Sequence, residues 1–299
     1  MSSPTQELET VRDWIRYAVS RFSAAGLFFG HGMASAYDEA VYLVQHTLHL
    51  PLDRLDPFLD ARLTAAERAE VLQIVERRVN ERIPAAYLTH EAWLGQFRFY
   101  VDERVIIPRS YIAELLPDAL DPWLPEPAKV QSALDLCTGS GCLAILLAHH
   151  FANADVDAAD ISSDALAVAQ RNVAEHGMQD RINLVRSDLL SNLNEKTYDL
   201  IISNPPYVAA VAMEELPREY RHEPSIALAG GEDGLDAVRT IVGGAAQFMA
   251  PEGLLVVEVG HNRAAAEAAF PRLPFTWLST PSSEDGVFML RRDDLIGAH

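Results

Sequence analysis

The run Leu134-Asp135-Leu136-Cys137-Thr138-Gly139-Ser140-Gly141-Cys142 constrains this chain more than any other stretch. It joins an apolar strand to a helix through two glycines set two apart. Such a turn lets the backbone reverse tightly and approach a ligand closely. The helix that begins after Gly141 offers free amide N–H groups in its first turn. From residue 131 on, strands are expected near 132–137, 154–159, 181–186, 198–203 and 253–259. Helices near 142–150, 163–176 and 235–250 alternate with them. This alternation predicts a parallel sheet covered on both faces. The end differs: PFTWL (274–278) and GVFML (286–290) have no helix between them. They predict an antiparallel hairpin at one sheet edge.

Residues 1–90 show helical periodicity instead. Leu8, Val11, Trp14, Ile15 and Ala18 fall on one helix face. Thr64 is expected to cap the helix TAAERAEVLQIVERRVNER, with Glu67 completing a capping box, and Pro84 stops it. Residues 91–108 alternate, with Gly95 and Asp102–Glu103 as turn points, and read as a hairpin or hinge. Pro108, Arg109 and Ser110 lead into a helix, YIAELLPDAL, and DPWLPEPAK (121–129) is a proline-rich connector. The expected organisation is a helical domain at 1–90, a β-hairpin or hinge linker at 91–110, and an α/β domain at 111–299. A length of 299 residues fits two domains.

Several classes are excluded by composition. No run of 18 apolar residues occurs, so no transmembrane helix is expected. The first residues have neither a basic start nor an apolar stretch, so no signal peptide is expected. Two cysteines, Cys137 and Cys142, cannot make a disulfide scaffold or a cysteine zinc site, which points to the reducing cytoplasm. The net charge is −19, and its distribution is uneven. Residues 1–110 carry 12 bases and 15 acids, whereas 111–299 carry 12 bases and 28 acids. This balance argues against a broad nucleic-acid surface. It suits plain solubility or a basic partner.

Candidate site residues cluster at the expected strand ends. Asp160 closes the second strand about 20 residues after the glycine turn, where an acid grips ribose hydroxyls. The competing reading is a helix cap, a role for which Ser163 is better placed. Asp188 follows the third strand and is a candidate for an adenine amino group or a plain loop carboxylate. Cys137 and Cys142 have no lysine nearby and no histidine before Cys137, so two packing thiols are the better reading. The fourth strand runs into Asn204-Pro205-Pro206-Tyr207, a loop stiffened by two prolines. The Asn204 side-chain carbonyl and the Pro205 carbonyl can each accept one N–H of a planar NH₂ group. An amide nitrogen is a poor nucleophile because its lone pair is delocalised. Fixing both hydrogens orients it toward an electrophile, and the two oxygens stabilise the positive charge that develops. That is what methyl transfer to nitrogen requires.

DLCTGSGCLAILLA, Asp160 and NPPY closely resemble the class I methyltransferases that use S-adenosylmethionine. From about residue 36 to 292 the chain resembles the protein-glutamine methyltransferases of the HemK group. IPRSYIAELL (107–116), NPPYV and YRHEPSIALAGGEDGLD (220–236) carry that likeness. AAYLTHEAW, CTGSGC, EYRHEP and PFTWL–DGVFML are most similar to the branch acting on the third protein of the large ribosomal subunit. The sister branch acts on the Gly-Gly-Gln loop of release factors.

The resemblance implies a Rossmann-like α/β fold, mostly parallel with a terminal antiparallel hairpin, behind a small N-terminal helical domain that recognises substrate. It implies S-adenosylmethionine and no metal. The cofactor positions fall on Cys137, Thr138, Gly139, Ser140, Gly141, Asp160, Ile161, Asp188, Leu189 and Asn204. The glutamine clamp falls on Asn204, Pro205, Pro206 and Tyr207. Arg109, Arg221, His222 and Glu223 are expected at the substrate entrance. An aromatic residue is common in the family where Leu189 stands, so stacking is not expected there. The implied partner is a basic ribosomal protein, free or in a ribosome precursor, with no membrane involved. The alternatives are a release factor, an adenine or guanine amino group in nucleic acid, and a non-catalytic assembly role.

Overall fold

A computed structural model describes residues 3–118, 120–193 and 196–297. The chain divides into two compact units, 1–92 with 217–222, and 93–216 with 223–299. The first is helical: α1 (Pro4–Glu7), α2 (Val11–Ala24), α3 (Ala36–Thr47), α4 (Ala65–Asn80) and α5 (Ala85–Thr89). The stripe read from the sequence is buried, with Val11, Trp14, Ile15, Ala18 and Phe22 of α2 packed in one core. The predicted capping box is present. Thr64 Oγ1 accepts from Glu67 N at 3.3 Å, and Thr64 N donates to Glu67 Oε2 at 2.7 Å. Such a cap contributes about 1 kcal/mol.

A buried ion cluster in this unit was not foreseen. Arg78 of α4, only 1% exposed, donates through Nε to Glu39 Oε1 (2.6 Å) and through Nη1 to Glu219 Oε1 (3.3 Å). Arg82 donates to the same Glu219 oxygen at 3.1 Å. Burial pushes the Glu39 carboxyl up. Burial acts likewise on Glu219, but the Phe28 N–H and both guanidinium groups outweigh it and hold that carboxyl below its usual range. Buried charges persist only when paired. The cluster therefore fastens 217–222, which carries Glu219, to helices more than 130 residues earlier in the chain.

The second unit begins within a hairpin, β1 (Glu91–Leu94) and β2 (Phe97–Tyr100), that turns at Gly95. By packing, 93–110 belongs with the α/β unit. Phe99 lies in its core, and Tyr100 N–H donates to Asn172 Oδ1 at 2.7 Å. The helix expected over YIAELLPDAL is short, α6 (Ile112–Leu115), because Pro117 has no N–H to donate back to the Ala113 carbonyl; Ala119 lies outside the described residues. Then follow β3 (Ser132–Leu136), α7 (Cys142–His150), β4 (Asp155–Asp160), α8 (Ser163–Glu175), β5 (Ile182–Arg186), β6 (Tyr198–Ser203), α9 (Ala210–Glu215), α10 (Asp236–Gly244), β7 (Met249–Glu258), α11 (Arg263–Ala269), β8 (Thr276–Thr280), β9 (Ser283–Arg291) and α12 (Arg292–Gly297).

The sheet order is β5-β4-β3-β6-β7-β9-β8. β5 through β7 run parallel, and β9 joins antiparallel to both β7 and β8, which makes the predicted hairpin edge. Alternate residues feed two cores. Ala133, Leu200, Ile202 and Val256 face α7, while Leu134, Ile201, Leu255 and Val257 face α10. Burial on both faces explains why these strands read as nearly unbroken apolar runs.

Candidate active site

Strand order reverses between β3 and β6, which stay parallel, and ligands of open α/β sheets bind in the crevice beyond such a switch point. The register sets its height. Leu136 pairs with both Ala159 and Ser203, and Asp160 pairs with Arg186. Residues 137, 160, 186 and 204 therefore stand in one row across four strand ends. A cavity of about 320 Å³ opens over that row. Cys137, Gly139, Asp160, Ile161, Asp188, Leu189, Asn204 and Pro206 line it, all of them expected from the sequence.

The glycine turn is built locally. Gly139 has φ +55, and a Cβ there would project into open space. Only glycine takes that backbone without strain while leaving the space to a ligand. Asp160 closes the turn: its Oδ2 accepts from Gly139 N and its Oδ1 from Ser162 N, both at 2.9 Å. Burial raises the Asp160 carboxyl despite these amide donors. The cap of α8 is Ser162, which accepts from Ala165 N; Ser163, the expected cap, is already the first helical residue. The remaining turn residues face away from the cavity. Thr138 Oγ1 donates to buried Asp135 at 2.6 Å, Ser140 is buried, and Gly141 caps α7 with its Cα side against Ala169. Cys137 adopts φ +61, a sparsely populated conformation for a residue with a side chain. Both thiols are free, and burial pushes both up, Cys142 to about 12. Neither is a thiolate at neutral pH, in accord with the packing reading.

The Asn-Pro-Pro-Tyr loop is braced from a distance. Pro205 is buried, and the Tyr207 hydroxyl donates to Glu258 Oε1 at 3.1 Å. The other Glu258 oxygen accepts from Ser110 Oγ (2.6 Å) and Tyr111 N (2.8 Å). Burial raises both the Glu258 carboxyl and the Tyr207 phenol. Asn262 Nδ2 donates to Tyr207 O at 2.6 Å. At Gly234, with φ +82, a Cβ would sit 2.4 Å from that same carbonyl, so only glycine fits. Glu258, Ser110, Asn262 and Gly234 were missed as functional positions. The available signal was Glu258, a carboxylate that closes the apolar run of β7 and must find partners when buried.

The four entrance candidates divide between the units. Glu223 is buried beside Arg109, whose Nη2 donates to Glu223 Oε2 at 2.7 Å, while Ile107 N donates to Oε1 at 3.0 Å. Arg221 and His222 belong to the helical unit, where His222 Nε2 bonds the Glu81 carbonyl at 2.9 Å. The chain passes from the helical unit to the α/β unit at residue 223.

The cavity residues fit a nucleoside-bearing cation such as the sulfonium cofactor that the resemblance implies. Asp160 and Asp188 supply acceptors for hydroxyl and amino groups, Ile161 and Leu189 supply apolar flanks, and carboxylates outnumber bases in the lining. Among the described residues no group of three or more His, Cys, Asp or Glu is placed to hold a metal. No helix among them is long and apolar enough to cross a membrane.

Comparison with known proteins extends this picture. The methyltransferase small domain family matches residues 115–217. The chain is 60% identical, over 292 residues, to a ribosomal protein uL3 glutamine methyltransferase of Neisseria meningitidis serogroup A, covering 98% of this chain and 96% of that one. It is 58% identical to a ribosomal protein uL3 glutamine methyltransferase of Bordetella pertussis, covering 97% of each. Among solved structures, the hMettl16 catalytic domain in complex with a MAT2A 3′UTR hairpin superposes with a TM-score of 0.50 at 14% identity, covering 75% of this chain and 80% of that one. That likeness is one of fold alone.

Proposed function

The chain belongs to the ribosomal protein uL3 glutamine methyltransferases, and from that premise we propose that it methylates a glutamine side-chain amide of uL3, using S-adenosylmethionine. The observation that carries the chemistry is the placement of Asn204 at the end of β6, on the cavity that Gly139 and Asp160 also line. S-adenosylmethionine, when bound, supplies an electrophilic methyl group on a sulfonium. Asp160 holds the ribose hydroxyls, Asp188 meets the adenine edge, and Ile161 and Leu189 flank the ring. Asn204 and the Pro205 carbonyl accept the two N–H groups of the glutamine amide and aim its nitrogen. The same oxygens stabilise the positive charge that builds on nitrogen. The proton becomes acidic once the nitrogen is alkylated, so no strong base is needed beside it. Glu258, Ser110 and Asn262 keep the clamp in place.

The helical unit recognises the folded substrate, and the net charge of −19 steers a basic ribosomal protein toward the enzyme. Arg109 and Glu223 border the acceptor's approach, and the reaction takes place in the cytoplasm. The deciding experiment offers uL3, a release factor and ribosomal RNA separately to the enzyme with tritiated S-adenosylmethionine, and maps the label by mass spectrometry. Label on a glutamine of uL3 is expected. Label on a release factor would retain the mechanism and move the substrate, and label on RNA alone would overturn the reading. Binding of uL3 should slow hydrogen exchange in residues 3–92; protection confined to the α/β unit would refute the recognition role. An on-rate for uL3 unchanged by added salt would refute steering.

A further inference from the structure

Arg104 stands apart in the cavity wall. Among the described residues that line it, Asp160, Asp188 and Asp236 are acids, and Arg104 is the single base. Its guanidinium is held in place. Nε donates to Asp102 Oδ1 at 2.8 Å and Nη2 to Asp102 Oδ2 at 2.6 Å, a two-pronged fork that does not use the Nη1 edge. The side chain of Asp102 is 9% exposed, against 41% for Arg104, so the anchor is buried and the guanidinium is accessible. Asp102 is itself fixed by the Tyr100 hydroxyl (2.9 Å) and by Arg104 N (3.1 Å). Arg171 stacks on the Tyr100 ring with its Cζ 3.5 Å from the centroid. The buried Asn172 links this support to the glycine turn, donating to Tyr100 O at 3.0 Å and to Ser140 O at 2.8 Å. A cation has thus been built into an acidic wall on three successive supports.

The cofactor class explains the need. Its sulfonium and ammonium groups suit carboxylates, but the amino-acid end also bears one carboxylate. Three aspartates repel that group, and a base in the same wall offsets that repulsion and matches a carboxylate with paired N–H donors. We propose that Arg104 is the residue that binds the carboxylate of the cofactor's amino-acid end, with Asp102 and Tyr100 as its positioning residues. The inference rests on the cofactor reading above and adds a residue that neither the glycine turn nor the clamp contains.

The test compares two ligands that differ only in that carboxylate. S-adenosylmethionine and decarboxylated S-adenosylmethionine are titrated calorimetrically into the full chain without acceptor protein. The wild type should bind the first more tightly. Arg104→Met should weaken S-adenosylmethionine by about tenfold to a hundredfold, the range of a lost charge-assisted hydrogen bond, and leave the decarboxylated ligand within about twofold. Arg104→Lys should fall between. Equal weakening of both ligands overturns the proposal, as does loss of methylation with both affinities intact, which would put Arg104 on the acceptor side. If Arg104→Met binds neither ligand, Asp102→Asn combined with Arg104→Met removes the unpaired buried carboxylate, and the same ratio decides. A wild type that binds neither ligand would instead bring down the cofactor reading itself.

Discussion

The glycine turn and the Asn-Pro-Pro-Tyr loop share one row of strand ends, yet they are held by different means. The turn is held mainly by near neighbours: positive φ at Gly139, a threonine on Asp135 and two amides on Asp160, all within 28 residues, with Asn172 of α8 bonding Ser140 O. The clamp depends on Asn262, Glu258, Ser110 and Gly234, which lie 27 to 97 residues from Tyr207. The tasks proposed for them differ accordingly. The turn must leave space and present backbone to a ligand. The clamp must aim one nitrogen, and an aimed group tolerates little displacement.

The sharpest way to break this division is Asn204→Ala. Turnover should fall at least ~10²-fold while cofactor affinity stays within a few-fold, because a positioning group has been lost and not a binding wall. Single-turnover rates beside calorimetry check both halves, and a matching loss of cofactor affinity would merge the two loops into one function. Next comes pH. Burial raises the Asp135 carboxyl to about 7, far above its unfolded value near ~3.9. Between those values the folded chain keeps a proton that the unfolded chain has released. Stability from this group is therefore full below about pH 4 and falls as pH rises toward 7, by at most about 1.4 kcal/mol per pH unit. Denaturant titration at pH 5 and pH 7 should show this decline in the wild type and not in Asp135→Asn.

A pair of glycine substitutions sharpens the comparison further. Gly139→Ala should cost about 1–2 kcal/mol of backbone strain, with its functional loss in cofactor affinity. Gly234→Ala drives a methyl against the Tyr207 carbonyl, so its functional loss should appear in turnover, about tenfold. Exchange of those two signatures would refute the division of labour. The smallest expected effect is Tyr207→Phe. Removing one hydroxyl from Glu258 should lower stability by about 1 kcal/mol, read as a shift in the denaturation midpoint.

How much of this was legible follows the same line. The turn, Asp160, Asp188 and the Asn-Pro-Pro-Tyr loop could be read because strand ends, glycine spacing and proline stiffness are local properties. So could the helix stripe at Val11–Phe22 and the Thr64–Glu67 box. The hinge expected at 91–110 could not be distinguished from a hairpin docked on α8, since the Tyr100–Asn172 bonds span 72 positions. The excursion of 217–222 into the helical unit was likewise invisible, because Glu219 reaches Arg78 across 141 positions. Arg104 was not singled out, because its bonds to Asp102 and its place in the cavity wall are not visible in the chain order.

The sequence by itself determined the alternation of strand and helix, the doubly covered parallel sheet, the hairpin edge and the chemistry available at the strand ends. Each depends on residues a few positions apart, where side-chain period and backbone preference act directly. Only the tertiary structure decided which carboxylate braces Tyr207, which segment Glu219 fastens and where Arg104 points. Those outcomes depend on strand register and on the pairing of buried charges, and both join residues that the chain order holds far apart.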